Sequence, residues 1–337
     1  MQFPLVTRRC FAGLVGTAAL GAPARAQGAP AVLGNFGGSG PQNYGRATGG
    51  FQQAFGDRGQ ARFVDVSSGA QIITAMAANS LDLCNIGSSP MVVGFAQGLR
   101  ISMVYVQKVI TDSECLVVRK DSGIRSPKDL AGRTVGLPLN TSVHFALLAM
   151  LKNAGVAASS VRIVNMQPAT VLAGWRRKDI DASYIWYPVI PDLLDNGGEV
   201  LFRTGDLATQ GTLVFDGIVV RNAFKERYPE LVLAYLREYQ RIARLYQTDP
   251  AKVVEVMAPF LSAPPAAIEA YIQSFHPVPL AEVASDRWMG KPGARDTGVL
   301  RTLKEQGEFL KENDQIPAVP TDYTPFVDSS FLQQMTA

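Results

Sequence analysis

The sequence predicts an α/β fold in two lobes, each a mainly parallel sheet flanked by helices. Short β-branched runs alternate with helical stretches, and glycine- or serine-rich turns stand between each strand and the helix behind it. The chain is also long: 337 residues with 47% hydrophobic content can bury a large core, and this length usually divides into two lobes.

Taken in order, residues 31–36 read as a strand, 37–40 as a glycine-rich turn and 41–55 as a helix behind it. Residues 61–66 form a second strand, and Ser67-Ser68-Gly69 leads into a helix with Ile72, Ile73, Met76 and Ala77 at helical spacing. Residues 81–86 are a third strand, after which Gly87-Ser88-Ser89-Pro90 opens a helix with Ser89 as cap and Pro90 in the first turn. Strands follow at 101–106 and 115–118, and Ser126-Pro127-Lys128-Asp129-Leu130 starts a short helix with the same cap chemistry. Residues 134–137 are a buried strand, and Asn140-Thr141-Ser142 caps a helix running to about residue 154. A strand at 161–165, a helix at 170–177 and a strand at 182–186 complete a second alternating block over residues 117–217. Past Val219 the pattern turns mostly helical, with Val232, Tyr235, Leu236, Tyr239, Ile242, Ala243 and Tyr246 marking one apolar face. The tail from Ile316 is proline-rich and is expected to wrap the surface.

The first residues bear on the compartment. Arg8 and Arg9 precede an apolar run at 11–20 that ends near the small-residue triplet Ala24-Arg25-Ala26. The run is too short to cross a bilayer and is followed by an Ala-x-Ala cleavage pattern, so residues 1–26 read as a secretory signal and Gln27 as the start of the mature chain. The Thr7-Arg8-Arg9-Cys10-Phe11 segment fits twin-arginine export, and an ordinary signal with two arginines is the alternative. Removing the signal leaves 29 basic against 29 acidic residues. That balance gives no basic face for a nucleic acid and no general attraction to an anionic membrane. Cys84 and Cys115 remain; both sit in apolar strand-like runs that favour buried free thiols, although an oxidising compartment permits a disulfide.

Several segments point further. Gly69-Ala70 with Ile72, the run from Cys84 through Gly87-Ser88-Ser89-Pro90, and Asp112-Ser113-Glu114 before an apolar strand resemble the taurine-binding proteins of ABC importers. So do Lys128-Asp129-Leu130-Ala131-Gly132-Arg133, Asn165-Met166-Gln167-Pro168, Tyr184-Ile185-Trp186-Tyr187-Pro188, Leu213-Val214-Phe215-Asp216 and the tail Ile316-Pro317-Ala318-Val319-Pro320. The first strand-turn, Asn35-Phe36-Gly37-Gly38-Ser39-Gly40-Pro41, departs from the Tyr-Gln-Thr type of that family. The resemblance implies a type II periplasmic binding protein: two lobes joined by two crossover strands, with the chain crossing out near Leu116 and back near Gly217. One lobe would comprise residues 27–116 and 218–337, the other 117–217. A small-molecule ligand would bind in the cleft of a periplasmic monomer, which passes it to the permease subunits of an ABC transporter.

The residues suit a zwitterionic sulfonate. A sulfonate keeps its charge at any physiological pH, and helix N-termini offer free N–H groups and the macrodipole without a formal counter-charge. Ser88-Ser89 and Thr141-Ser142 stand at two such termini; the bland reading makes them simple caps. Taurine also carries an ammonium, which wants a carboxylate. Asp216 lies in the apolar run 213–220 and Glu114 just before the strand 115–118, where a desolvated acid needs a cation; a neighbouring Arg or Lys is the alternative partner. Trp186 and Tyr184 are candidates to pack on the two-carbon link or the ammonium, against the plainer role of core aromatics. Gln167 offers an amide donor or a solvated loop, and His144 a ligand contact or a support for its loop. With His144 and His276 as the two histidines, no cluster has metal-ligand spacing, and no cofactor motif or nucleophile elbow is present. The competing ligands are aliphatic sulfonate, nitrate and a thiamine-pyrimidine precursor. The competing class is a pyrimidine-synthase type of enzyme, with His144 as its candidate residue.

Overall fold

The computed structural model describes residues 28–209 and 212–336, so the export signal and the expected start at Gln27 lie outside the described residues. Among the described residues there are eleven strands: β1 (Ala29–Phe36), β2 (Gly59–Val66), β3 (Leu83–Gly87), β4 (Ile101–Val109), β5 (Glu114–Arg119), β6 (Thr134–Leu137), β7 (Arg162–Asn165), β8 (Ala182–Trp186), β9 (Gly198–Arg203), β10 (Phe215–Arg221) and β11 (His276–Pro277). They form two sheets, ordered β11-β4-β10-β3-β1-β2 and β7-β6-β8-β5-β9.

Both sheets are mixed, and in the first the antiparallel strand β10 stands inside the sheet. In the first, β1 is parallel to β2 and β3, whereas β10 runs antiparallel to both β3 and β4. In the second, β6 is parallel to β7 and β8, whereas β5 runs antiparallel to β8 and β9. The connectivity explains the reversal. Strand β4 ends where the two sheets meet and passes straight into β5, and the chain returns after β9 into β10. An arriving strand starts at the cleft and must run against the strands that end there. Both arriving strands bring an acid with them: Glu114 is the first residue of β5 and Asp216 the second of β10.

Helices fill the faces. Ser68 caps the helix Gly69–Ala77 by accepting from the Gln71 N–H at 3.3 Å, and Ser126 with Asp129 forms a capping box at Pro127–Leu130. The single helix expected over 41–55 is two, Pro41–Thr48 and Gly50–Phe55, because Gly49 adopts φ +68° between them. Strand β9 and the helix Val189–Asp195 complete the second sheet's surroundings. The helix Pro229–Thr248 buries the face marked by its periodicity, from Val232 through Tyr246. The tail crosses β4 through a bridge between Met103 and Val327 and ends in the helix Ser330–Thr336.

One large core cluster reaches from the first sheet to β5 and the helix Ser142–Asn153, so the two sheets are packed together on that side. A smaller cluster around Trp175, Val117, Ile185 and Leu193 covers the other face of the second sheet. Cys84 and Cys115 are both buried and free, and burial pushes the Cys115 thiol up to about 12. Among the described residues no helix is long and apolar enough to cross a membrane.

Asp82 ties three strands of the first sheet. Its carboxylate accepts from the Val32 N–H of β1 at 2.9 Å and meets the Arg221 guanidinium at the end of β10 at 2.6 Å, with a side chain only 7% exposed. Removing it strands a partly buried guanidinium and a strand N–H. Asp82→Ala is expected to lower the unfolding free energy by about 3 kcal/mol in urea titrations. Glu312→Ala, which breaks the exposed pair with Lys152, should lower it by less than about 1 kcal/mol. Equal losses would contradict this ranking.

Candidate functional site

Between the two sheets lies a partly open cavity of about 70 Å³.

One side of the cavity is built from helix starts. Gly40 at the start of Pro41–Thr48, Gly87 at the start of Ser88–Ala96, and Thr141 with Ser142 at the start of Ser142–Asn153 all line it. None of the three helices has a side-chain cap, so their positive dipole ends and remaining first-turn N–H groups are not covered by a side chain; Pro41 and Pro90 carry no N–H, and the Asn43 N–H is taken by the Gly40 carbonyl at 3.0 Å. This corrects the expectation that Ser89 caps its helix, since the cap position belongs to Gly87. Ser88 is turned inward, where its Oγ accepts from the Phe215 N–H at 3.3 Å and from Gln306 Nε2 at 3.0 Å. Ser89 is buried, and neither serine side chain lines the cavity. Thr141 Oγ1 donates to the Pro138 carbonyl at 2.7 Å, and Ser142 Oγ donates to Glu114 Oε1.

The charges stand directly against these helix starts, Glu114 at Ser142 and Asp216 at Gly87. Register sets Glu114 across from Trp186, and Asp216 across from Gly87 on one neighbour and Lys108 on the other. The pairing of β10 with β4 slips between Asp216 and Gly217, leaving Gln107 as the extra residue. Such a bulge breaks strict alternation, and the consecutive residues Gln107 and Lys108 both line the cavity. Lys108 is 6% exposed; its Nζ donates to Ser113 Oγ at 3.0 Å and lies 3.5 Å from Asp216 Oδ2. The rings of Tyr271 and Phe275 stand 5.9 and 6.0 Å from it. The buried acid Asp216 therefore already has a cation, the alternative partner that its sequence position allowed.

These neighbours set the protonation states. Burial pushes the Asp216 carboxyl up and Lys108 pulls it back only in part. Burial works against the charge on Lys108, but Asp216 holds its proton above the usual lysine range. Glu114 is pushed up to about 8 by burial and then by the charge of Asp216, against the opposing pull of Ser142, Lys108 and Thr204. At neutral pH Glu114 is thus mostly protonated, Lys108 and Asp216 form an ion pair beside it, and the helix starts add partial positive charge.

Five of the sequence candidates line the cavity: Glu114, Thr141, Ser142, Trp186 and Asp216. The other five stand behind it or at its rim. Tyr184 is fully buried, with its hydroxyl 3.0 Å from Thr204 Oγ1, which in turn donates to Glu114 Oε2 at 3.4 Å. It supports Glu114 through Thr204. His144 Nδ1 accepts from the Asn140 N–H at 3.3 Å and so braces the left-handed turn at Asn140, φ +57°. Burial brings His144 down to about 4, which keeps it neutral. Gln167 Oε1 lies 3.4 Å from the Ser67 hydroxyl, joining loops of the two sheets outside the cavity. Ser88 and Ser89 supply a helix start, as described above.

Lys108 is the main residue that sequence reasoning missed. Its signal was the one applied to Asp216, a charge at the end of an otherwise apolar strand, here residues 101–109. Phe36, whose ring centroid lies 5.7 Å from that of Trp186, and Gly87 were visible only as parts of motifs. A Cβ on Gly87 would come 3.2 Å from Ser142 Cβ and 3.3 Å from its Oγ, so glycine permits the two helix starts to approach. Among the described residues no group of three His, Cys, Asp or Glu side chains is arranged to hold a metal ion.

Comparison with known proteins gives consistent matches. The family described as NMT1/THI5 like matches residues 62–253. The taurine-binding periplasmic protein of Escherichia coli (strain K12) is 31% identical over 273 residues, 79% of this chain and 82% of that protein. The structure of the alkanesulfonate-binding protein SsuA from Xanthomonas axonopodis pv. citri bound to MOPS aligns with TM-score 0.78 at 19% identity, covering 90% of this chain and 100% of that one. The periplasmic aliphatic sulphonate binding protein SsuA from Escherichia coli aligns with TM-score 0.72 at 20% identity, covering 86% and 94%. At these identities the two structures establish the fold, a two-sheet α/β architecture of the periplasmic binding protein kind.

The raised Glu114 gives a stability signature in the unliganded protein. Between the ordinary carboxyl value of 4.5 and about 8, the folded state keeps a proton that the unfolded chain has lost. The folded state therefore binds more protons, and its stability falls as pH rises through that window. Glu114→Gln removes this contribution. Thermal melts should show the variant gaining on the parent protein from about pH 5 to about pH 8; a constant difference would contradict the assignment.

Proposed function

The chain belongs to the NMT1/THI5-like family, and from that premise we propose that it is the extracytoplasmic solute-binding protein of an ABC importer, capturing taurine or a close aminosulfonate between its sheets. The observation that carries the reading is one small cavity between the sheets where three uncapped helix starts meet the buried Glu114 and the half-buried Asp216. The sulfonate would sit at the starts of Pro41–Thr48, Ser88–Ala96 and Ser142–Asn153, whose N–H groups solvate an anion that cannot be neutralised by protonation. Trp186 and Phe36 would flank the two-carbon link.

The amine needs a carboxylate that is still free. Asp216 is engaged by Lys108, so Glu114 becomes the partner, giving up its proton as the ammonium enters. Helices from both lobes would grip one anion, which gives closure a direct energetic cause. In this reading the lobes are residues 27–116 with 218–337, and 117–217. The protein works as a periplasmic monomer delivering ligand to the permease subunits, and Thr141, Ser142, Glu114 and Asp216 form the site with Trp186, while Ser88 and Ser89 contribute only the backbone of their helix start. Tyr184, His144 and Gln167 act as its supports. A second reading keeps the fold and takes a plain aliphatic sulfonate. The protonated Glu114 favours it, because the empty cavity is then charge-balanced without an amine.

Calorimetric titration of the mature chain separates the two. Taurine affinity should rise about tenfold per unit between about pH 6 and pH 8, with proton release, because each bound ammonium requires an ionised Glu114. Ethanesulfonate affinity should stay flat across the same range. Glu114→Gln should abolish the slope for taurine. Tight ethanesulfonate binding beside no heat from taurine would overturn the aminosulfonate reading. Gly87→Ala should weaken taurine by roughly tenfold or more with little change in melting temperature, since its Cβ would push Ser142 away. Unchanged affinity would contradict the closed geometry.

A further inference from the structure

Lys108 has no role in the reading above beyond neutralising Asp216, yet its ammonium is held from several directions. Ser113 Oγ, Asp216 and the faces of Tyr271 and Phe275 surround its ammonium on the protein side. An ammonium has three donor hydrogens. Ser113 at 3.0 Å and Asp216 at 3.5 Å account for two, leaving a third for the cavity that Lys108 lines.

Two consequences follow for anything bound there. The charge of Asp216 is answered from within the protein, so it adds little attraction for a ligand's amine, and an incoming ammonium meets the like charge of Lys108. A ligand ending in a hydroxyl meets the opposite situation. Its oxygen accepts from Lys108, its proton is available to a carboxyl, and Glu114 can keep its own proton.

Resting on the sulfonate reading above, we propose that Lys108 is a specificity-determining residue that stands in for the ligand's ammonium at Asp216. The site thereby admits short sulfonates ending in a hydroxyl alongside taurine, and loss of Lys108 converts it to an amine-selective site. In Lys108→Met the freed Asp216 joins Glu114 as a second carboxylate facing the ligand.

The test measures taurine against isethionate, its hydroxyl analogue, by calorimetry on the mature protein at neutral pH. In the parent protein the two affinities should agree within about tenfold; isethionate weaker by more than that would overturn the proposal without recourse to any variant. In Lys108→Met, checked for folding by thermal melting, the taurine-to-isethionate preference should shift toward taurine by at least about tenfold. Adding Asp216→Asn to that variant should reverse the shift, because the freed charge is gone. A preference that Lys108→Met leaves unmoved, with both sulfonates still binding, overturns the role of Lys108 alone. Binding of neither sulfonate to the parent protein overturns the sulfonate reading and this inference with it.

Discussion

Lys108 and Asp216 lie 3.5 Å apart where little water reaches, with Glu114 beside them, and the connection between the two sheets is what brings the three together. Strand β4 delivers the lysine as it leaves the first sheet, β5 begins with Glu114 as the chain enters the second, and β10 returns with Asp216. A buried charge without a partner is strongly destabilising, so the order of strands and the charges at their ends are not independent features. The bulge at Gln107 completes the arrangement by turning two successive residues of β4 toward the same space. With one lysine between two carboxyls, the cluster balances itself in the empty cavity by keeping a proton on Glu114.

The helix starts follow a complementary logic. Ser68, Asp249 and Thr297 cap their helices with their own side chains, and the helix of Ser68 also begins at the cavity with Gly69, whereas the helices that begin there at Gly40, Gly87 and Thr141 have no such cap. Glycine at two of these positions leaves the first-turn N–H groups uncovered and lets the elements approach, as the short spacing between Gly87 and Ser142 illustrates. The serines that look like caps are used differently. Ser142 holds Glu114, and Ser88 pins its helix to β10 and to Gln306 of the helix Gly298–Glu312. Positive dipole ends and an ionic cluster that meet at Ser142–Glu114 and Gly87–Asp216 give the cavity its polarity.

Much of this was legible in the sequence. Strands such as Thr134–Leu137 and Ala182–Trp186 have the boundaries that their apolar runs imply, and the buried face of Pro229–Thr248 follows its periodicity. Asp216 and Glu114 were readable as acids in apolar surroundings, and both line the cavity. What stayed hidden depends on register. Sequence alone does not say that β10 lies between β3 and β4, so the pairing of Asp216 with Lys108 could not be read from either strand. Nor does it say which side of a helix start a serine occupies, which is why Ser89 read as a cap. Tyr184, His144 and Gln167 were drawn to the right neighbourhood by their positions at strand and helix ends, but burial and local hydrogen bonds commit their side chains elsewhere.

The central claim is that the cavity answers a zwitterion in two separate places, the anion at the helix starts and the cation at Glu114, while Lys108 keeps Asp216. A crystal structure of the mature protein with taurine at neutral pH tests it most directly. Sulfonate oxygens should lie within hydrogen-bond distance of first-turn N–H groups of Pro41–Thr48, Ser88–Ala96 and Ser142–Asn153, with the amine on Glu114 and Lys108 still on Asp216. An amine seated on Asp216 with Lys108 displaced, or a sulfonate bound to Lys108 away from the helix starts, would contradict it.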